Sequence, residues 1–248
     1  DGRAVHQGGP AAARRARVAV TGPVDLAAAV RTALRAADGD PDRAAAQQRY
    51  MRSTLPFHGL AVPAVRVIVR GVVREHPTPG YDEWHAAIRD LWDTAEVRED
   101  RYAALGVARS VPAHARAAES LDLYRHLVVT GAWWDLVDET AAHLVGAVLR
   151  AHPGTADTLR RWATEDDRWL RRTAILAQLR SRAATDRRLL TDVIDPNVSH
   201  PDFFVRKAIG WALRQYSRVD DDAAAWVRET VEGCGSRLSP LSRREALR

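Results

Sequence analysis

The stretch Trp133-Trp134-Asp135-Leu136-Val137-Asp138 sets two indoles and two carboxylates into six residues at the start of an apolar-periodic helix. Helical geometry puts Trp134 and Asp138, four residues apart, on one face. An indole plane beside a carboxylate attracts a cation through the ring quadrupole and direct Coulomb attraction. The same residues also read as packing anchors, with the acids turned to solvent. For an isolated motif packing is the commoner use, so the rest of the chain has to decide. Asp135, one residue past Trp134, is assigned to a different face from Asp138, as a helix N-terminal charge favoured by the dipole.

The elements around this motif are helical nearly everywhere after Pro23. Apolar periodicity predicts helices over about 24–37, 41–52, 62–76, 81–93, 97–110, 114–130, 133–151, 155–164, 167–182, 185–195, 201–217 and 221–231, and from about 240. Breakers separate them: Gly39-Asp40-Pro41, Pro77-Thr78-Pro79-Gly80, His152-Pro153-Gly154 and Asp195-Pro196. The fold class is all-α. Residues 1–23, rich in Gly, Ala, Arg and Pro, read as a flexible basic arm, and 24–248 as a single repeat domain.

The helices repeat. Arg172-Thr-Ala-Ile-Leu-Ala-Gln-Leu-Arg180 aligns with Arg206-Lys-Ala-Ile-Gly-Trp-Ala-Leu-Arg214 at an offset of 34, and with Arg101-Tyr-Ala-Ala-Leu-Gly-Val-Ala-Arg109 at 71. The gap leaves room for one more repeat, whose matching position is Asp138. Helix pairs at this period indicate an α-solenoid of HEAT-like repeats with a shared concave face. Arg101, Arg172 and Arg206 then head three inner helices and Asp138 the fourth. The concave groove is therefore basic, suited to a phosphate backbone, with one acid whose presence affinity alone does not explain. Ion pairing with nearby acids is the other fate open to these arginines.

Composition agrees with a polyanionic partner without requiring one: 37 Lys and Arg against 32 Asp and Glu, a net charge of +5. Lys207 is the only lysine. With one cysteine, Cys234, an intrachain disulfide and a multi-cysteine zinc site are excluded. Its neighbours are glycines, so it is read as structural. The nine histidines show no metal spacing. No metal and no cofactor is expected. No run approaches a membrane span and no secretory segment opens the chain, which reads as cytoplasmic. Trp92, Trp162, Trp169 and Trp226 are assigned to the core, Trp84 to core or surface, Asp202 to a helix cap and His200 to a surface loop.

Six ordered blocks bring in a family. Tyr50-Met51-Arg52 with Phe57 and Gly59, Leu91-Trp92-Asp93, the Trp133–Asp138 motif, Trp169–Leu176, Phe203–Arg214 and Pro240–Ala246 resemble the AlkD family of alkylpurine DNA glycosylases. Residues 195–200 and the pair Leu55-Pro56 depart from its pattern. The resemblance implies a HEAT-like solenoid that excises N3- and N7-alkylated purines from duplex DNA without base flipping. It implies Asp138 as catalytic acid residue, Trp134 and Trp211 as lesion-side indoles, and Tyr50 as groove lining. Arg172 and Arg214 become phosphate ligands, and Arg206 and Lys207 join the DNA-binding set. A monomer is expected. Relatives encoded in high-GC genomes sometimes confer self-resistance to DNA-alkylating antibiotics, so bulky adducts enter the expected substrates.

The physics suits these roles. An N3- or N7-alkylated base is already cationic, so its leaving needs no general acid. The barrier lies in positive charge building on the deoxyribose, which an ionised Asp138 offsets. Asp138 is expected to be ionised because the groove arginines lower its pKa. The competing reading is a non-catalytic solenoid that binds damaged or branched DNA. A third, a protein-binding scaffold, is disfavoured by the basic groove.

Overall fold

The computed structural model describes residues 25–77 and 80–248; the proposed arm at 1–23 lies outside them. The described residues fold into helices joined by short turns, with no β-strand among them. In chain order these are α1 (Leu26–Ala36), α2 (Pro41–Met51), α3 (Val62–Glu75), α4 (Tyr81–Asp93), α5 (Arg98–Ser110), α6 (Pro112–Ala115), α7 (Ser120–Gly131) and α8 (Trp134–Glu139). A π turn (Thr140–Val145) runs into α9 (Gly146–Ala151), followed by α10 (Ala156–Trp162), α11 (Arg168–Leu176), α12 (Arg187–Ile194), α13 (Phe203–Ser217), α14 (Asp221–Cys234) and α15 (Pro240–Ala246). Many starts follow local chemistry. Asp25, Asp40, Asp167, Asp186, Asp202, Asp220 and Ser239 each accept backbone N–H bonds as N-caps, satisfying donors that a helix leaves orphaned.

The helices stack in two layers. The inner layer runs α3, α5, α8–α9, α11, α13, α15, each packed on the next. Outer helices α4, α7, α10, α12 and α14 back their inner partners, and α1 packs across α3 and α4. Between the layers sits one continuous apolar core that includes Trp84, Trp92, Tyr124, Leu136, Leu170 and Ile175. Trp84 is thereby assigned: it is fully buried and donates Nε1 to the Val107 carbonyl at 3.1 Å. Arg101, Asp138, Arg172 and Arg206 all fall in the first two turns of successive inner helices. The repeat phase read from sequence is the repeat phase of the solenoid.

Three boundaries differ from expectation, each for a tertiary reason. The helix expected over 114–130 is broken after Ala115, because Ser120 Oγ and Tyr124 Oη take the carbonyls of His114 and Ala115. The helix expected over 167–182 stops at Leu176; Gln178 clips the chain to Asp186 through both its amide atoms. The helix expected over 133–151 carries the π turn, where Thr140 Oγ1 bonds the Leu136 carbonyl. Just past that turn a Cβ on Gly146 would collide with the Ala177 carbonyl oxygen. Glycine there lets α9 and α11 approach closely. Among the described residues no helix is long and apolar enough to cross a membrane.

Candidate DNA-processing cleft

The start of α8 is held on both sides by buried ion pairs. Toward α11, Asp138 accepts from Arg172 Nε at 2.7 Å and from Nη2 at 2.8 Å, and Arg172 Nη1 donates to the Phe204 carbonyl at 2.6 Å. Toward α5, Asp135 accepts from Arg98 at 2.6 Å and from the Tyr102 hydroxyl at 2.6 Å. Trp134 lines the cleft with the two acids, and its ring meets Tyr50 edge-on with centroids 6.3 Å apart. Trp133 turns inward onto Trp169 and Phe204. Of the two adjacent indoles one is thus packing and one faces the groove.

These residues open onto a concave cleft of about 1250 Å³ between α3, α5, α8 and α13. Trp134, Asp138 and Trp211 all line it, so the structure brings the three expected catalytic residues to one surface. Asp138 is 14% exposed, enough to face a ligand. Asp135 lines the same cleft, which corrects its assignment to another face: three residues apart on a helix, the two carboxylates point to nearly the same side. Asp135 does stand in the first turn of α8, as expected of a helix N-terminal charge, and its carboxylate is also buried against Arg98.

The electrostatics of Asp138 also differ from expectation. Burial pushes its carboxyl above the usual aspartate range, the Arg172 guanidinium pulls it back, and Asp135 adds a smaller push upward. Desolvation therefore wins over the arginine, because only one guanidinium reaches the carboxylate. The two-pronged pairing is the geometry of an ionised carboxylate against a guanidinium fork.

The expected phosphate ligands are placed unevenly. Arg172 is 4% exposed and turned onto Asp138. Arg214 and Lys207 both reach Glu245 on α15, at 2.8 and 2.9 Å, and these cations hold the Glu245 carboxyl below its usual range, Lys207 foremost. Arg206 is half-buried and its Nε finds no partner among the described residues. Arg101 lies over the Trp92 ring at 5.1 Å. Tyr50 is 72% exposed at the groove edge.

The cleft also contains residues that the sequence reading missed. Arg66, Arg70 and Arg74 lie along α3 at four-residue spacing, Arg109 near the far end of α5, and Arg180 in the turn after α11. Glu139 pairs with Arg66 at 3.1 Å and with Arg109, and His143 stands 3.6 Å from it. The α3 stripe was visible as an arginine every fourth residue; the Glu139 cluster joins three helices and left no local signal.

The DNA alkylation repair enzyme family is matched over residues 30–248. A solved structure described as a predicted DNA alkylation repair enzyme from Enterococcus faecalis superposes with a TM-score of 0.74 at 27% identity, covering 84% of this chain and 95% of that one. The comparison with curated proteins gave no match. A family match spanning almost all of the described chain, on a two-layer helical solenoid whose aspartate and two indoles share one basic cleft, means that the chain belongs to the DNA alkylation repair enzymes.

Proposed function

We propose that the protein is a monofunctional DNA glycosylase that hydrolyses the N-glycosidic bond of cationic N3- and N7-alkylated purines in duplex DNA. One observation carries this reading: a carboxylate, paired with and oriented by Arg172, faces an open cleft beside Trp134 and Trp211. As the C1′–N bond breaks, its electron pair leaves with the base, which departs neutral. The positive charge passes to the deoxyribose, where Asp138 opposes it and orients water for attack at C1′. The water loses its proton to Asp138 or solvent. Trp134 and Trp211 offer π faces to the cationic base and sugar, each desolvated contact contributing about 2 kcal/mol.

The cleft is open along the solenoid, with the acid on its wall rather than inside an enclosed cavity. That favours excision without extruding the base, in contrast to enzymes that flip their target into a pocket. It also leaves room for bulky N3 or N7 substituents. Incubation with methylated duplex DNA should release free 3-methyladenine or 7-methylguanine and leave abasic sites. Tight binding with no free base after prolonged single-turnover incubation would instead support the non-catalytic solenoid.

A further inference from the structure

A group of arginines at the far end of the inner helices has no carboxylate to answer it. A second cleft, of about 450 Å³, is lined by Arg109, Arg116 and Arg150 with His143 and contains no acid in its lining. Arg109 and His143 line the main cleft as well, so the two are continuous, and Arg180, which lines the main cleft, is close enough to act on the Arg150 charge. Arg109 is paired with Glu139, but Arg116, Arg150 and Arg180 are exposed and make no ion pair among the described residues. They crowd one another. Burial, then Arg180 and Arg116, hold the Arg150 guanidinium below its usual range. His143 adds no charge at neutral pH, since burial above all, and then the nearby arginines against Glu139, push it down to about 4.

Like charges gathered without counterions destabilise a fold, so this arrangement calls for an anion from outside. A free phosphate would be served by two guanidinium groups; three along an open cleft continuous with the catalytic one fit an extended polyanion. Distance identifies which part of it. From Asp138 to Arg150 the chain is helical, twelve residues or about 18 Å of axial rise. The minor groove of B-DNA is roughly 6 Å wide, and side chains reaching inward from both ends of that span can address its two borders. We propose that Arg116, Arg150 and Arg180 bind backbone phosphates of the strand opposite the lesion. The assignment of strands rests on Asp138 facing the lesion-bearing strand. The anion site itself does not depend on excision.

The test uses the Arg116→Gln/Arg150→Gln/Arg180→Gln variant of the full chain, whose substitutions lie on exposed positions, with circular dichroism to verify the fold. Binding to an undamaged duplex is followed against salt. Each lost phosphate contact should lower the slope of log K against log[salt] by about 0.9, so the triple variant should lose between about 2 and 3. Methylphosphonate substitution of the strand opposite a lesion should weaken the wild type and leave the variant unaffected; the same substitution in the lesion strand should weaken both. Inorganic phosphate at tens of millimolar should not compete beyond its ionic strength. An unchanged slope overturns the proposal, as does a variant still sensitive to neutralisation of the opposite strand. Phosphate competition lost in the variant would overturn it in favour of a small-anion site. Because the slope is read on undamaged DNA, absence of glycosylase activity would refute the proposed function without touching this result.

Discussion

At the scale of the residue, chemistry is concentrated in Asp138 and its one guanidinium partner. Asp138→Asn keeps the shape of the side chain and removes the charge. Single-turnover excision should fall by about 10²–10³ while duplex affinity is kept or rises, since the Arg172 charge is then no longer offset by a carboxylate. Wild-type excision should also fall toward acid pH. Burial raises the Asp138 pKa, so the active ionised form is lost at a pH above the ordinary aspartate value of about 3.9. Stability runs the other way: a carboxyl raised on folding favours the folded state at low pH, and that contribution disappears as pH rises through the raised pKa. A pH–rate profile with a flat acid limb down to pH 4 would contradict the burial argument. Arg172→Ala should act differently from loss of a phosphate ligand. It strands a mostly buried carboxylate, costing about 3–5 kcal/mol of stability, and it removes excision, yet the salt slope of DNA binding should match the wild type. A slope reduced by about 0.9 would return Arg172 to the phosphate track.

At the scale of the element, the cleft depends on how closely the inner helices stack. α8 is held between α5 and α11 by the Asp135–Arg98 and Asp138–Arg172 pairs. Beyond the π turn, the same stack brings α9 hard against the chain after α11. Gly146 is what permits that approach, since a Cβ there would strike the Ala177 carbonyl. Gly146→Ala should therefore cost about 1–3 kcal/mol in thermal or urea unfolding. It should also reduce excision more than it reduces binding, by shifting Asp138 off its partner. A variant of wild-type stability would mean that the two helices relax apart freely. The tight packing that aims the acid is the same packing that leaves Gly210 no room for a side chain against Glu245 and Ser242 of α15. There it brings Glu245 to Arg214 and Lys207, and these ion pairs staple the last helix to α13.

At the scale of the whole molecule, substrate choice follows from charge and openness. In the proposed mechanism the base leaves because it is already cationic, and Asp138, ionised against Arg172, supplies no proton to a neutral one. N3-alkyladenine and N7-alkylguanine should therefore be excised, and hypoxanthine or uracil left nearly untouched, in a gel assay with defined lesion oligonucleotides. Activity on at least one bulky cationic adduct is expected as well. Robust release of hypoxanthine would defeat the charge argument; strict restriction to methyl adducts would defeat only the open-cleft half.

Much of this was legible in the sequence, because it is local. Helix existence, Asp caps, the 34-residue period and the position of Asp138 among head arginines all depend on neighbours a few residues apart, or on repetition of one pattern. The shared face of Trp134 and Asp138 followed from their four-residue spacing, the place of Trp211 came from a family resemblance, and all three line one cleft. What only the tertiary structure decided is partnership. Whether Arg172 met phosphate or Asp138, whether Asp135 was solvated, and which arginines were left unpaired depend on groups 30 or more residues away, in the next repeat. A carboxylate's pKa is likewise decided by how much water its neighbours exclude. The sequence alone determined a basic repeat solenoid with one acid among its head arginines. The folded stack determined that this acid is buried and locked, and that a further group of arginines without ion pairs among the described residues lies at the other end of the helices.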